Sequence, residues 1–139
     1  IEEYNNNYAQ VAAVKKIHHV ALIVSDYAAS KAFYCDILGL EVIAETYRRE
    51  RRSYKLDLKL MNGNQLELFS FVNPPKRLSF PEACGLRHLA FAVENINESV
   101  KCLQQHGIDV EPVRVDALTE KKYTFFSDPD GLPLELYEI

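Results

Sequence analysis

Two histidines and two glutamates of this 139-residue chain recur in a duplicated frame. His19 opens the run His19-Val20-Ala21-Leu22-Ile23-Val24, and His88 opens His88-Leu89-Ala90-Phe91-Ala92-Val93, an offset of 69 positions. Glu67 stands between Leu66 and Leu68, and Glu135 stands between Leu134 and Leu136, an offset of 68. In both histidine runs an alanine follows two residues on and a valine five residues on. Imidazole nitrogens with carboxylate oxygens make a mixed donor set for a divalent cation, and a carboxylate can also carry a proton between substrate atoms. Singly, each residue has an ordinary explanation as a hydrogen-bonded histidine or the wet face of a sheet. Recurrence at matching places in two halves is what singles out the four.

The elements that must position them follow from hydrophobic period. Residues 17–24 alternate as a strand, with Val20, Leu22 and Val24 on one face and His19, Ala21 and Ile23 on the other. Asp26 then caps a helix to about Leu38 with Ala29, Phe33 and Ile37, and Tyr34 and Leu38 beside them, on its inner stripe, and Gly39 stops it. Strands are expected at 40–47, 54–61 and 65–71, the last two joined at Asn62-Gly63 by a two-residue hairpin. After a proline-bearing connector at 72–84 the order restarts. It runs as a strand at 86–93, a helix capped by Asn95 with Glu98 as its capping-box partner and ending at Gly107, and strands at about 109–115, 122–127 and 132–138. Asp128-Pro129-Asp130-Gly131 turns between the last two. Each half therefore reads strand, helix, three strands, and the fold class is α+β. Module one is about 16–72, the linker about 73–84 and module two about 85–139, within one domain over 16–139; residues 1–15 read as an N-terminal tail or an appended segment foreign to the domain.

Bulk properties point to a site rather than a surface. A net charge of −4 gives no electrostatic case for nucleic acid or an anionic membrane, and no apolar run is long enough to span a bilayer. Cys35, Cys84 and Cys102 lack metal-knuckle spacing and are expected as reduced, buried thiols of a cytoplasmic protein.

Parity puts His19, Glu67, His88 and Glu135 on the faces away from the helices, so two curved sheets can bring them to one cavity. Around these residues the chain resembles the vicinal oxygen chelate superfamily, and within it the glyoxalase I-like (lactoylglutathione lyase-like) group. The carriers are His19-Val20-Ala21-Leu22 with Asp26, Phe33-Tyr34 with Leu38-Gly39, Glu67, Gly85-Leu86-Arg87-His88-Leu89-Ala90-Phe91, and Asp128-Pro129-Asp130-Gly131 leading to Glu135. The resemblance spans about residues 16 to 138. It implies paired βαβββ modules in the glyoxalase/bleomycin resistance/dihydroxybiphenyl dioxygenase-like fold. It also implies His19, Glu67, His88 and Glu135 as ligands of one divalent ion per site, nickel or zinc first, with manganese, cobalt or iron as alternatives. The implied chemistry is proton transfer through a metal-stabilised enediolate on a small 2-hydroxycarbonyl or hemithioacetal substrate, with Glu135 or Glu67 as base. A drug- or metabolite-binding module of the same fold and a ring-cleaving dioxygenase are the alternatives. Ile23 and Phe71 stand where the resembling bacterial enzymes carry polar glutathione contacts, so a less polar substrate is expected, against an apolar wall of Phe69 and Phe71. Arg48, Arg49, Arg51 and Arg52 with Lys55 are either a solvated strand edge or a clamp for a substrate anion, with Arg51 as the substrate-binding candidate. A homodimer is expected, its sheet edges and cavity rims covered by a second copy, and the site forms either within one chain or across that dimer.

Overall fold

The structure, a computed structural model, describes residues 11–139; the first ten residues of the expected tail lie outside the described residues, and 11–18 carry neither helix nor strand. Two four-stranded sheets follow. The first is built from β1 (His19–Val24), β2 (Glu41–Arg48), β3 (Ser53–Lys59) and β4 (Gln65–Ser70) in the order β1-β4-β3-β2. The second, from β5 (Leu89–Val93), β6 (Arg114–Val115), β7 (Lys122–Ser127) and β8 (Pro133–Glu138), has the matching order β5-β8-β7-β6. In each sheet the first strand runs parallel to the last and the other neighbours are antiparallel. Helix α1 (Tyr27–Ala32) packs against β4 and α2 (Ile96–Gln105) against β8. These are the two βαβββ modules.

Alternation decides which face is buried. Leu22 and Val24 of β1, Leu56 and Leu58 of β3, and Leu66 and Leu68 of β4 join Phe126, Leu134, Leu136, Ile96 and Leu103 in one core cluster. Both helices start on side-chain caps: Asp26 accepts from the Ala29 N–H and Asn95 from the Glu98 N–H, each at 3.1 Å. The modules are tied by polar contacts as well as by the Phe33–Phe126 ring pair. Buried Asp128 accepts from the Tyr34 hydroxyl at 2.7 Å, and Asp130 accepts from the Ser25 backbone and hydroxyl.

Several expectations need correction. The first helix leaves α geometry at Ala32 and continues as a π turn, Phe33–Ile37, in which the Leu38 N–H reaches back to Phe33 O. The wider turn seats Phe33 and Tyr34 inward together, so the buried stripe is Ser30, Phe33 and Tyr34, while Ala29 is exposed. The β3–β4 hairpin is longer than two residues, because Leu60 donates to Asn64 O and leaves Met61, Asn62 and Gly63 as the loop, with Gly63 at φ +90°. The strand expected at 109–115 shrinks to Arg114–Val115, and β5 begins only at Leu89. Cys84 and Cys102 are exposed and Cys35 is half-buried, so the thiols are free but not core residues.

One irregularity reaches the chemistry. In β2 Val42 pairs with Leu58 but Ala44 pairs with Asp57, so Ile43 is an extra residue in a β-bulge. Beyond it side-chain parity is inverted, and Arg48 comes opposite Ser53, on the same face as Lys55, Asp57 and Glu67.

Ser30 is fully buried on the inner stripe of α1, yet its hydroxyl has no hydrogen-bond partner. Ser30→Ala removes that desolvated hydroxyl and raises helix propensity, so it should stabilise the fold by about 1 kcal/mol, or roughly 3 °C in Tm. A calorimetric scan showing a lower Tm would mean that the hydroxyl has a partner in solution.

Candidate metal centre

The four donor residues form two pairs of the same design. In module one, parallel pairing of β1 with β4 sets Ala21 beside Glu67, so His19 stands one pleat before the carboxylate and its Nε2 lies 3.4 Å from Glu67 Oε2. In module two, Ala90 is the Cα partner of Glu135, and His88 Nε2 lies 3.9 Å from Glu135 Oε1. The alanine two residues after each histidine is thereby explained. A methyl at that position leaves the imidazole and carboxylate free to approach, where a larger side chain on that face would stand between them.

The surroundings of the pairs differ. Glu67, although it faces away from the helices, is 8% exposed. Lys55 Nζ lies 3.9 Å from Glu67 Oε1 and 3.3 Å from Asp57 Oδ1. The His18 and His19 Nδ1 atoms are 3.0 Å apart, so one ring must donate there and the other accept. In module two the His88 ring meets Phe125 edge-on at a centroid distance of 5.1 Å. Its Nδ1 is buried without a hydrogen-bond partner, and Glu135 has no lysine or arginine within 4 Å among the described residues. A cleft of about 1170 Å³ opens beside this pair, with Arg77, Phe80, His88, Arg114, Tyr123 and Phe125 in its wall. Neither glutamate lines it.

Within one chain the pairs do not converge: among the described residues no three His, Cys, Asp or Glu side chains stand together as a metal set. The structure brings His19 to Glu67 and His88 to Glu135, and leaves the two pairs apart. Phe69 and Phe71 follow Glu67 on the open face of module one, with ring centroids 6.4 Å apart. Arg51 lies in an exposed 3₁₀ turn, Arg49–Arg51, beyond the end of β2. The arginine over the phenylalanine rings is Arg48, 4.8 Å from the Phe69 centroid and 5.8 Å from that of Phe71. Sequence reasoning passed over His18, Asp57 and the particular place of Arg48. The parity of Asp57 with Glu67 was readable across the hairpin, whereas that of Arg48 depends on the bulge.

Two matched four-stranded sheets of βαβββ order are the fold of the Glyoxalase/Bleomycin resistance protein/Dioxygenase superfamily. The chain belongs to it, and the family model matches residues 16–136. Over 125 residues the chain is 59% identical to YwkD of Bacillus subtilis (strain 168), covering 90% of this chain and 98% of that protein. It is similar in structure to a glyoxalase family protein from Enterococcus faecalis, with a TM-score of 0.83 and 56% identity over 89% of this chain and 98% of the other. A more distant relative is the metallothiol transferase FosB of Staphylococcus saprophyticus, 29% identical over 129 residues that cover 89% of this chain and 77% of that protein.

Proposed function

We propose that the protein is a glyoxalase I-like, metal-dependent lyase or isomerase that moves a proton between adjacent carbons of a small 2-hydroxycarbonyl or hemithioacetal substrate. In this reading the site is completed in a homodimer, where His19 and Glu67 of one chain meet His88 and Glu135 of a second copy. The observation that carries it is the duplication of the pair. Two donors about 2.1 Å from one ion at near-right angles stand about 3.0–3.5 Å apart. His19 and Glu67, at 3.4 Å, have that separation, and His88 and Glu135 are close to it at 3.9 Å. Each pair is half of a four-donor set. The open face of module one also carries Ile23, 61% exposed, and Phe71, apolar groups that a second copy would cover.

A divalent ion, nickel or zinc first, would supply Lewis-acid polarisation of two substrate oxygens. The chain's own carboxylates move the proton. Glu67 is restrained between His19 and Lys55, whereas Glu135 has only His88 near it among charged or chargeable partners of the described residues. Glu135 is therefore the better placed to swing to a substrate carbon as base and return the proton as acid, with the Phe125 ring edge-on to His88 beside it.

Metal content tests the reading. Purified protein should take up about one nickel or zinc ion per chain, and His19→Ala and His88→Ala should each lose it. Mixing the two variants under subunit exchange should restore about a quarter of the parental metal, because half of the dimers would be hybrids, each with one intact site. A parent that binds none of nickel, zinc, manganese, cobalt or iron would end the proposal, and a mixture that restores nothing would end its cross-chain part.

A further inference from the structure

We infer that Arg48 is the anchor for an oxyanion of the ligand, a carboxylate or phosphonate, at the end of the module-one face beyond Glu67. The guanidinium is held in place before any ligand arrives. Its plane lies over the Phe69 and Phe71 rings, and its Nη2 donates to Ser53 Oγ at 2.7 Å. Its Nε is buried with no hydrogen-bond partner, and among the described residues no carboxylate lies within 4 Å of it. Two comparable cations of the open faces are paired: Lys55 has Asp57 and Glu67, and Arg114, which occupies the corresponding place over Tyr123 and Phe125 in module two, has Glu111 at 3.4 Å, while Arg49, Arg51 and Arg52 are exposed to water. Arg48 has a neutral hydroxyl and two ring faces.

A part-buried, pre-oriented fork without a counter-charge is built to receive one, since two oxygens of a carboxylate or phosphonate take parallel N–H donors and relieve the desolvated charge. The bulge at Ile43 is what turns the side chain to this face. Phe69 lies two residues beyond Glu67 on β4, about 7 Å along the strand. An anion at Arg48 thus sits on the same open face as Glu67, displaced toward the Phe71 end of β4. For where the reacting end lies, the inference rests on the proposed metal site; for the charge at Arg48, it does not.

The test is binding of glycolate and methylphosphonate, with uncharged glycolamide as control, to metal-free protein by calorimetry and by the Arg48 Nε resonance. Glycolate or methylphosphonate should bind and shift that resonance, and whichever binds tighter names the oxyanion. Arg48→Met should weaken the preferred anion at least tenfold, and Arg48→Lys, which keeps the charge without the fork, should fall between. Metal uptake should be unchanged in both. Equal binding of glycolamide, or parental anion affinity in a folded Arg48→Met, would overturn the inference. Loss of the metal reading alone would leave anion binding intact, so the two failures are separable.

Discussion

Asp128→Ala is expected to cost about 3–5 kcal/mol of stability, a large effect for a turn residue. The carboxylate is 7% exposed and accepts three hydrogen bonds: from the Tyr34 hydroxyl at 2.7 Å, the Asp130 N–H at 2.8 Å and the Leu132 N–H at 2.9 Å. Truncation leaves a wholly buried phenol and a buried backbone donor without partners, and it cuts a tie between the modules. Tyr34→Phe removes one bond and keeps the turn, so it should cost about 1–2 kcal/mol. Urea titration of both variants checks the order; a loss below about 1 kcal/mol for Asp128→Ala would show the tie to be incidental. Burial, together with the Asp128 charge, pushes the Tyr34 phenol well above the ordinary tyrosine range. The protonated form is thus favoured in the folded state. The corresponding stability is complete below about pH 10, where unfolded tyrosine titrates, and is lost as pH rises above it.

Glu135→Gln should lower kcat on an active hemithioacetal or 2-hydroxycarbonyl substrate by about 10²–10⁴, or roughly 3–5 kcal/mol in the barrier. The amide keeps an oxygen for the ion but cannot take a proton. Glu67→Gln should show itself first in metal affinity, because Glu67 is the more restrained carboxylate, clasped by His19 and Lys55. Steady-state kinetics on metal-loaded variants separates the two. Parental turnover in both would remove the carboxylates from the proton's path, and a larger loss for Glu67→Gln at full metal occupancy would exchange their roles.

Local features were legible in the sequence because short-range physics sets them. Asp26 and Asn95 cap helices through their own neighbours, and Leu22 with Val24 goes to the core by alternation alone. The duplicated His-x-Ala and Leu-Glu-Leu segments singled out His19, Glu67, His88 and Glu135, whereas the meeting of each histidine with the glutamate of its own module is set by the parallel pairing of β1 with β4 and of β5 with β8. Features governed by distant partners were not legible. The π turn seats Tyr34 against Asp128, 94 positions away. The shortness of β6 and the exposure of Cys84 and Cys102 depend on how loops lie over the second sheet. That the donors stand as two separate pairs within a chain is a property of how the sheets sit, and residue spacing within a strand carries no information about it.

The bulge at Ile43 makes one position of β2 a point where pairing register, rather than residue identity, controls the ligand face. Were Ile43 taken into the ladder opposite Asp57 instead, Tyr47 would come opposite Ser53 and take the place over the phenylalanines, and Arg48 would pass into the turn. Deleting Ile43, by contrast, would abolish the bulge and leave Ala44 opposite Asp57 and Arg48 opposite Ser53, so the pairing register between positions 42 and 44, and not the residue count, selects a cation or a phenol above Phe69.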